Sequence, residues 1–219
     1  MVVMKAKKEG KIKAVIFDIG GVLQESKSGY LIRRNGSAKG VHEYVAKKLG
    51  ISIDQYFDSI DTIYAESIVG SQPKNKVLKI FAKNLKTSQS KLKKLYTIAY
   101  KKNFKENKKL YSFAFKLKKQ GYKIAILSDQ WYISEEIFAP NKVMNKFNAV
   151  VISSRVGIRK PDPKIYKLTL KKLKLPAKQT VFIDNQVWNT KPAKKLGMKT
   201  VLFKNNKQTF KDLKKLGVE

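Results

Sequence analysis

Five short apolar runs limit what this chain can fold into: AVIF (14–17), IAIL (124–127), AVVI (149–152), TVFI (180–183) and TVLF (200–203). They carry no polar alternation, which is the pattern of strands buried on both faces in a parallel sheet. Turn or helix signals bound each run, and helical stretches separate the last four. Asp162-Pro163 reads as an N-cap with proline at the first helical position, opening a helix through Leu173. Gly197, after PAKKL, fits a helix C-terminus. Strand and helix in alternation predict a doubly wound, Rossmann-like α/β fold.

About a hundred residues separate the first run from the second, and none of them forms a convincing strand pattern. Apolar residues recur there at helical spacing: Val41, Tyr44, Val45 and Leu49, then Val77, Leu78, Phe81 and Leu85, then Leu92, Leu95, Tyr96 and Ala99. A parallel crossover needs only about a dozen residues, so the excess predicts an inserted helical subdomain. The expected division is an α/β core of residues 1–24 and 106–219 around a helical cap of residues 25–105. Residues 107–120 read as the helix that returns the chain to the sheet.

Composition narrows the chemistry. With no cysteine, thiolate nucleophiles and disulfides are excluded. The one histidine, His42, lies in a helical pattern and reads as structural. Catalysis would have to use carboxylates, lysines, hydroxyls and backbone. The N-terminus lacks a signal-peptide apolar region and no run of about 18 apolar residues occurs, so a cytoplasmic protein without a membrane partner is expected. The net charge of +32 raises the question of polyanions. Only four of the 48 basic residues are arginine (Arg33, Arg34, Arg155, Arg159), and lysine is scattered through nearly every helix. That distribution favours a solvated surface over a specific nucleic-acid site.

In open parallel sheets, ligands bind beyond the carboxyl ends of the strands. The polar residues there are Asp18 after AVIF, Ser128 after IAIL, and Asp184-Asn185 after TVFI, with Lys160 in GIRKPDP after AVVISS. Two carboxylates, a hydroxyl and a lysine suit phosphoryl transfer: one carboxylate attacks while a cation, hydroxyl and ammonium hold the phosphoryl oxygens. Each residue also has a plainer reading. Asp18 can cap a helix, and Ser128 and Asp129 can be N-caps of the helix starting near Ser134, the reading preferred for Asp129. Trp131 and Trp188 can line a substrate entrance or simply pack.

Four strings, VIFDIGGVL, IAILSD, GIRKPDPKIY and VFIDNQVWNTKPAKKLGM, resemble in order and spacing the motifs of the haloacid dehalogenase-like hydrolase superfamily. The likeness spans nearly the whole chain. The FDxGGV opening and NTKPAKKLGM ending are most similar to the branch with sugar-phosphate phosphatases and the N-terminal phosphatase domain of soluble epoxide hydrolases. The resemblance implies a magnesium-dependent phosphatase acting on a small phosphorylated metabolite, as a monomer or homodimer. It assigns Asp18 as nucleophile, forming an aspartyl-phosphate, and gives Ser128, Asp129 and Lys160 to the phosphoryl group. Asp18, the Gly20 carbonyl, Asp184 and Asn185 go to magnesium, and Asn189 to orienting a loop. At position 20 the family carries an acid–base aspartate, and Gly20 lacks the side chain. Glu25 is a substitute proton carrier on this reading. The alternative is a weak or inactive relative that binds a phosphorylated ligand or a polyanion.

Overall fold

The computed structural model describes residues 11–27 and 40–219. Expectations for the N-terminal ten residues, and for 28–39 with Arg33 and Arg34, lie outside the described residues. Five parallel strands form the sheet: β1 (Ala14–Phe17), β4 (Lys123–Ser128), β5 (Ala149–Ile152), β6 (Thr180–Asp184) and β7 (Lys199–Leu202). Their spatial order is β5-β4-β1-β6-β7. The last strand sits one residue earlier than its apolar run, because Phe203 leaves the ladder while its N–H still donates to the Asp184 carbonyl at 2.9 Å.

Strand alternation divides the core in two. Ala14, Ile16, Ala125, Leu127 and Phe182 face one side, against Ile165, Tyr166 and Leu173 of α9 (Pro163–Leu173) and Ala193 of α10 (Val187–Lys195). Val15, Phe17, Ile124, Ile126, Val181 and Ile183 face the other. There they meet Leu110, Ala114 and Leu117 of α5 (Lys108–Lys119) and Leu213 of α11 (Asn206–Lys215). Both faces are therefore apolar, which is why the strand sequences show no alternation. Each fully buried Val, Ile, Leu or Phe contributes about 1.5–3 kcal/mol.

Among the described residues, four helices precede α5: α1 (Val41–Leu49), α2 (Ile53–Ile68), α3 (Lys74–Asn84) and α4 (Gln89–Asn103). Helix α2 starts at a capping box in which Ser52 and Gln55 exchange hydrogen bonds. Its apolar face (Tyr56, Ile60, Ile63, Tyr64) packs with Phe81, Leu92 and Tyr96 of α3 and α4. His42 is buried among these aromatic residues, with Nδ1 2.8 Å from the Tyr56 hydroxyl.

The reading that no strand lies between β1 and β4 is corrected by a small antiparallel pair, β2 (Gln24–Ser26) with β3 (Phe104–Glu106). These three-residue strands are mostly polar and carry no periodic signal. They bracket the inserted helices, where the outgoing and returning chains meet. Asn107 secures that crossing: its N–H donates to the Leu23 carbonyl at 2.9 Å, and its Nδ2 to the Val22 carbonyl at 3.0 Å. It also N-caps α5 through Oδ1.

On the core side, α6 (Tyr132–Phe138) packs against α4, so one apolar cluster runs from the sheet into the inserted helices. The two parts also touch at Gly70, just past α2. A Cβ there would lie 2.0 Å from the Ser154 carbonyl oxygen, so only glycine fits.

Candidate active site

Three adjacent strands end at one place. Asp18 directly follows β1, Ser128 is the last residue of β4, and Asp184 is the last of β6. In-register pairing of Phe17 with Ile126 and with Ile183 aligns those ends. The Asp18 N–H donates to the Ile183 carbonyl at 3.0 Å, holding the turn against the sheet. Gly21 takes φ 79°, which accounts for the second glycine of FDIGGV. Gly20 is not among the glycines at positive φ, so no left-handed turn requires it.

Lys160 arrives from the loop between α8 (Ser153–Val156) and α9 and is 3% exposed. Its Nζ donates to Asp184 Oδ2 at 2.7 Å and lies 3.1 Å from Asp18 Oδ1. One ammonium therefore serves two buried carboxylates, and the site holds a surplus negative charge. Burial disfavours the charged lysine, but Asp18, Asp184 and Asp129 outweigh it and raise its pKa, so it stays protonated.

The two carboxylates differ in how well they are satisfied. Asp184, fully buried, accepts from Lys160, from the Gln186 N–H at 2.7 Å, and from Asn189 Nδ2 at 3.2 and 3.1 Å on its two oxygens. Against its burial Asp18 has Lys160 and the Ser128 hydroxyl. Burial, with the Asp184 charge beside it, pushes Asp18 up to about 7 against the pull of Lys160. Asp18 is thus the carboxylate left available to a ligand.

Asn185 supplies a second open position. Its Oδ1 is buried without a hydrogen-bond partner, whereas buried carbonyl oxygens normally have one. Asn185 lines the same cavity as Asp18 and Gly20. Hard oxygen donors of this kind suit magnesium. Among the described residues no group of three or more His, Cys, Asp or Glu gathers to hold a metal. Any cation here would draw on amide and backbone oxygens as well as carboxylates.

Ser128 Oγ also accepts from Gln130 Nε2 at 2.9 Å. The N-cap reading of Asp129 is corrected. Its Oδ1 accepts the Lys160 N–H at 3.0 Å, tying the β4 end to the lysine loop, while α6 begins at Tyr132. Burial raises its pKa, with Lys160 opposing. Glu25 is not in the Asp18 cavity. It pairs with Lys105 at 3.4 Å and lines a separate cleft beside β2 and β3. Gln130 and Gln186 were not anticipated, although each sits two residues beyond a strand-end site residue, in SDQ and DNQ.

Above Asp18 lies a cavity of about 150 Å³. Its far wall is Tyr64 and Ile68 of α2, Tyr100 of α4, Phe104, and Trp131 and Phe138 at α6. Trp131 is buried and its Nε1 donates to the Tyr100 hydroxyl at 2.7 Å, whereas Trp188, at the mouth, is 53% exposed. Both tryptophans line the cavity.

Comparison with known proteins agrees with this architecture. The family described as haloacid dehalogenase-like hydrolase matches residues 12–197. Bifunctional epoxide hydrolase 2 of Sus scrofa is 35% identical over 105 residues, 46% of this chain and 19% of that protein. Glyceraldehyde 3-phosphate phosphatase of Pyrococcus furiosus is 34% identical over 104 residues, 45% of this chain and 42% of that protein. The matched region thus spans less than half the length of either relative. A HAD family enzyme of Bacteroides thetaiotaomicron, solved with magnesium and inorganic phosphate, superposes with TM-score 0.68 at 22% identity, covering 88% of this chain and 94% of its own. A predicted HAD-like hydrolase of Porphyromonas gingivalis gives TM-score 0.74 at 17% identity, covering 96% and 100%. At such identities the superpositions speak for the fold.

Proposed function

The chain belongs to the haloacid dehalogenase-like hydrolases, and on that premise we propose that it is a magnesium-dependent phosphatase of small phosphorylated molecules, with Asp18 as nucleophile. The observation that carries this reading is the pairing of Asp18 and Asp184 with one buried Lys160. Asp184 is saturated with donors and positions the ammonium, while Asp18, with fewer donors, is the carboxylate left to attack. Related phosphatases make the alternative of a silent phospho-ligand binder the less favoured reading.

Each group has a defined task in this scheme. Asp18 attacks phosphorus and forms an aspartyl-phosphate, which water then hydrolyses. Ser128 donates to a phosphoryl oxygen, and Lys160 offsets the charge on the nucleophile and the transferring group in a partly dry site. Asp129 holds the Lys160 backbone in place. Asp18, the Gly20 carbonyl and the unpartnered Asn185 Oδ1 would hold magnesium, with Asp184 next to them. The cation supplies charge neutralisation to the phosphoryl oxygens. The inserted helices act as a cap that excludes water and selects the substrate.

The test is turnover of p-nitrophenyl phosphate with magnesium by wild type and Asp18→Asn. Wild-type activity that drops by at least ~10³-fold in the variant is expected for loss of a nucleophile. No activity in wild type, or activity that survives the substitution, would overturn the reading.

A further inference from the structure

We infer that the substrate is an aryl phosphate, a phosphomonoester whose leaving group is one phenolic ring held between Trp188 and the aromatic wall of the inserted helices. This inference rests on the phosphatase reading above and deepens it.

The wall is the first support. The inserted helices and β3 bring Tyr64, Ile68, Tyr100 and Phe104 to the cavity, and none of these is charged. That is notable in a chain with 48 basic and 16 acidic residues. The polar atoms around Tyr100 are already engaged. The Tyr100 hydroxyl is bonded by Trp131 and Ser134, and Ser134 Oγ also donates to the Trp131 carbonyl at 3.0 Å. A polyol leaving group would bury hydroxyls without partners there, which costs binding, whereas a flat ring would not. The charged residues lining the cavity, namely Asp18, Asp129, Arg159 and Lys160, all come from the core side, where the phosphoryl group sits.

The second support is independent of the wall. A departing alkoxide needs a proton, and no lining carboxylic acid is placed to give one. Asp18 is the nucleophile. Asp129 has Oδ1 on the Lys160 N–H at 3.0 Å and Oδ2 3.8 Å from Arg159 Nε, so both of its oxygens are turned to the lysine loop. Position 20 has no side chain. General-acid help is typically worth ~10²–10⁴-fold, and phenolates largely dispense with it. Size agrees as well: a cavity of about 150 Å³ is of the order that admits one benzene ring.

The reaction balances as ArOPO₃²⁻ + H₂O → ArOH + HPO₄²⁻. The Asp18 oxygen bonds to phosphorus as the P–O(aryl) bond breaks and its electron pair leaves on the phenolate. Water then displaces the Asp18 carboxylate, and its proton ends on the phenolate.

The experiment compares para-substituted phenyl phosphates, glycerol 1-phosphate and acetyl phosphate, with magnesium, in wild type, Trp188→Ala and Asp129→Asn. Trp188 is half exposed, so its truncation leaves the fold intact. In wild type, kcat/KM for phenyl phosphate should exceed that for glycerol 1-phosphate by ~10²-fold or more. It should fall as the phenol becomes more basic. Trp188→Ala should lower the ratio of phenyl phosphate to acetyl phosphate turnover by about two- to tenfold.

Three results would overturn the inference while leaving the phosphatase reading intact. The first is glycerol 1-phosphate turned over as well as phenyl phosphate, and the second a phenyl-to-acetyl ratio unmoved by Trp188→Ala. The third is glycerol 1-phosphate turnover that Asp129→Asn abolishes while phenyl and acetyl phosphate turnover persist, which would identify a carboxylic acid serving the leaving oxygen. Inactivity toward all three substrate types would overturn both.

Discussion

The floor and the roof of the cavity follow opposite design rules. The floor is built from charge: Lys160 Nζ lies 3.1 Å from Asp18 and 2.7 Å from Asp184, and all three are almost wholly buried. The roof is built from rings, with Trp131 packed against Tyr64, Phe81 and Tyr96 at centroid distances of 5.4, 5.3 and 4.7 Å. A buried charge must be answered by named partners at short range, whereas apolar packing tolerates exchange of shape and type. Substitutions in the floor should therefore be severe and specific, and those in the roof mild and graded.

Lys160→Met tests that contrast at its strongest. It leaves two buried carboxylates facing each other without their cation, so unfolding in denaturant should show a loss of ~3–5 kcal/mol. Phosphatase activity should fall by ~10²–10³-fold, as for loss of an electrostatic stabiliser. A stable, active variant would mean that the floor does not depend on this lysine.

Asp18→Asn sharpens the same comparison through pH. The folded carboxyl is raised from 3.8 to about 7, so the native state favours the neutral form. Its contribution is therefore fully present below about pH 4 and is lost as pH rises through 7. Asparagine is neutral throughout. In metal-free protein the variant should match wild type near pH 4 and exceed it above pH 7 by on the order of 2–4 kcal/mol. Thermal melts at several pH values read this directly. A constant difference would show that Asp18 is not destabilised by its burial.

The roof should give the smallest effect. Trp131→Phe keeps the packing surface but removes the Nε1 donor from the Tyr100 hydroxyl. A loss of about 1–2 kcal/mol in denaturant unfolding is expected. A loss as large as that of Lys160→Met would erase the distinction between the two surfaces.

The same contrast governed what the sequence disclosed. Floor residues occupy strand ends, and a strand buried on both faces is legible as an apolar run, so the residue after it is located as soon as the run is seen. Asp18, Ser128 and Asp184 were found in that way. Lys160 came from its motif, since nothing local separates it from the other lysines. The roof comes from helices whose aromatic residues read as ordinary core. Helix α2 was not picked out at all, and it carries Tyr64 and Ile68. Which ring faces the core and which faces the cavity depends on how α2, α4 and α6 pack, and no single helix encodes that. The polar strands β2 and β3 were missed for a related reason: pairing across the insertion stabilises them, not local propensity.

The sheet order carries a consequence for how the protein comes into being. Strand β1 is made first and lies in the middle, with Ala14 beside Lys123 on one edge and Thr180 on the other. During synthesis both of its edges wait for partners that emerge much later, while the inserted helices can already pack locally. Asp184 belongs to the second of those partners. A nascent chain would therefore pack α1 to α4 well before β4 and β6 arrive, and Asp18 would wait for the Lys160 and Asp184 that complete its site.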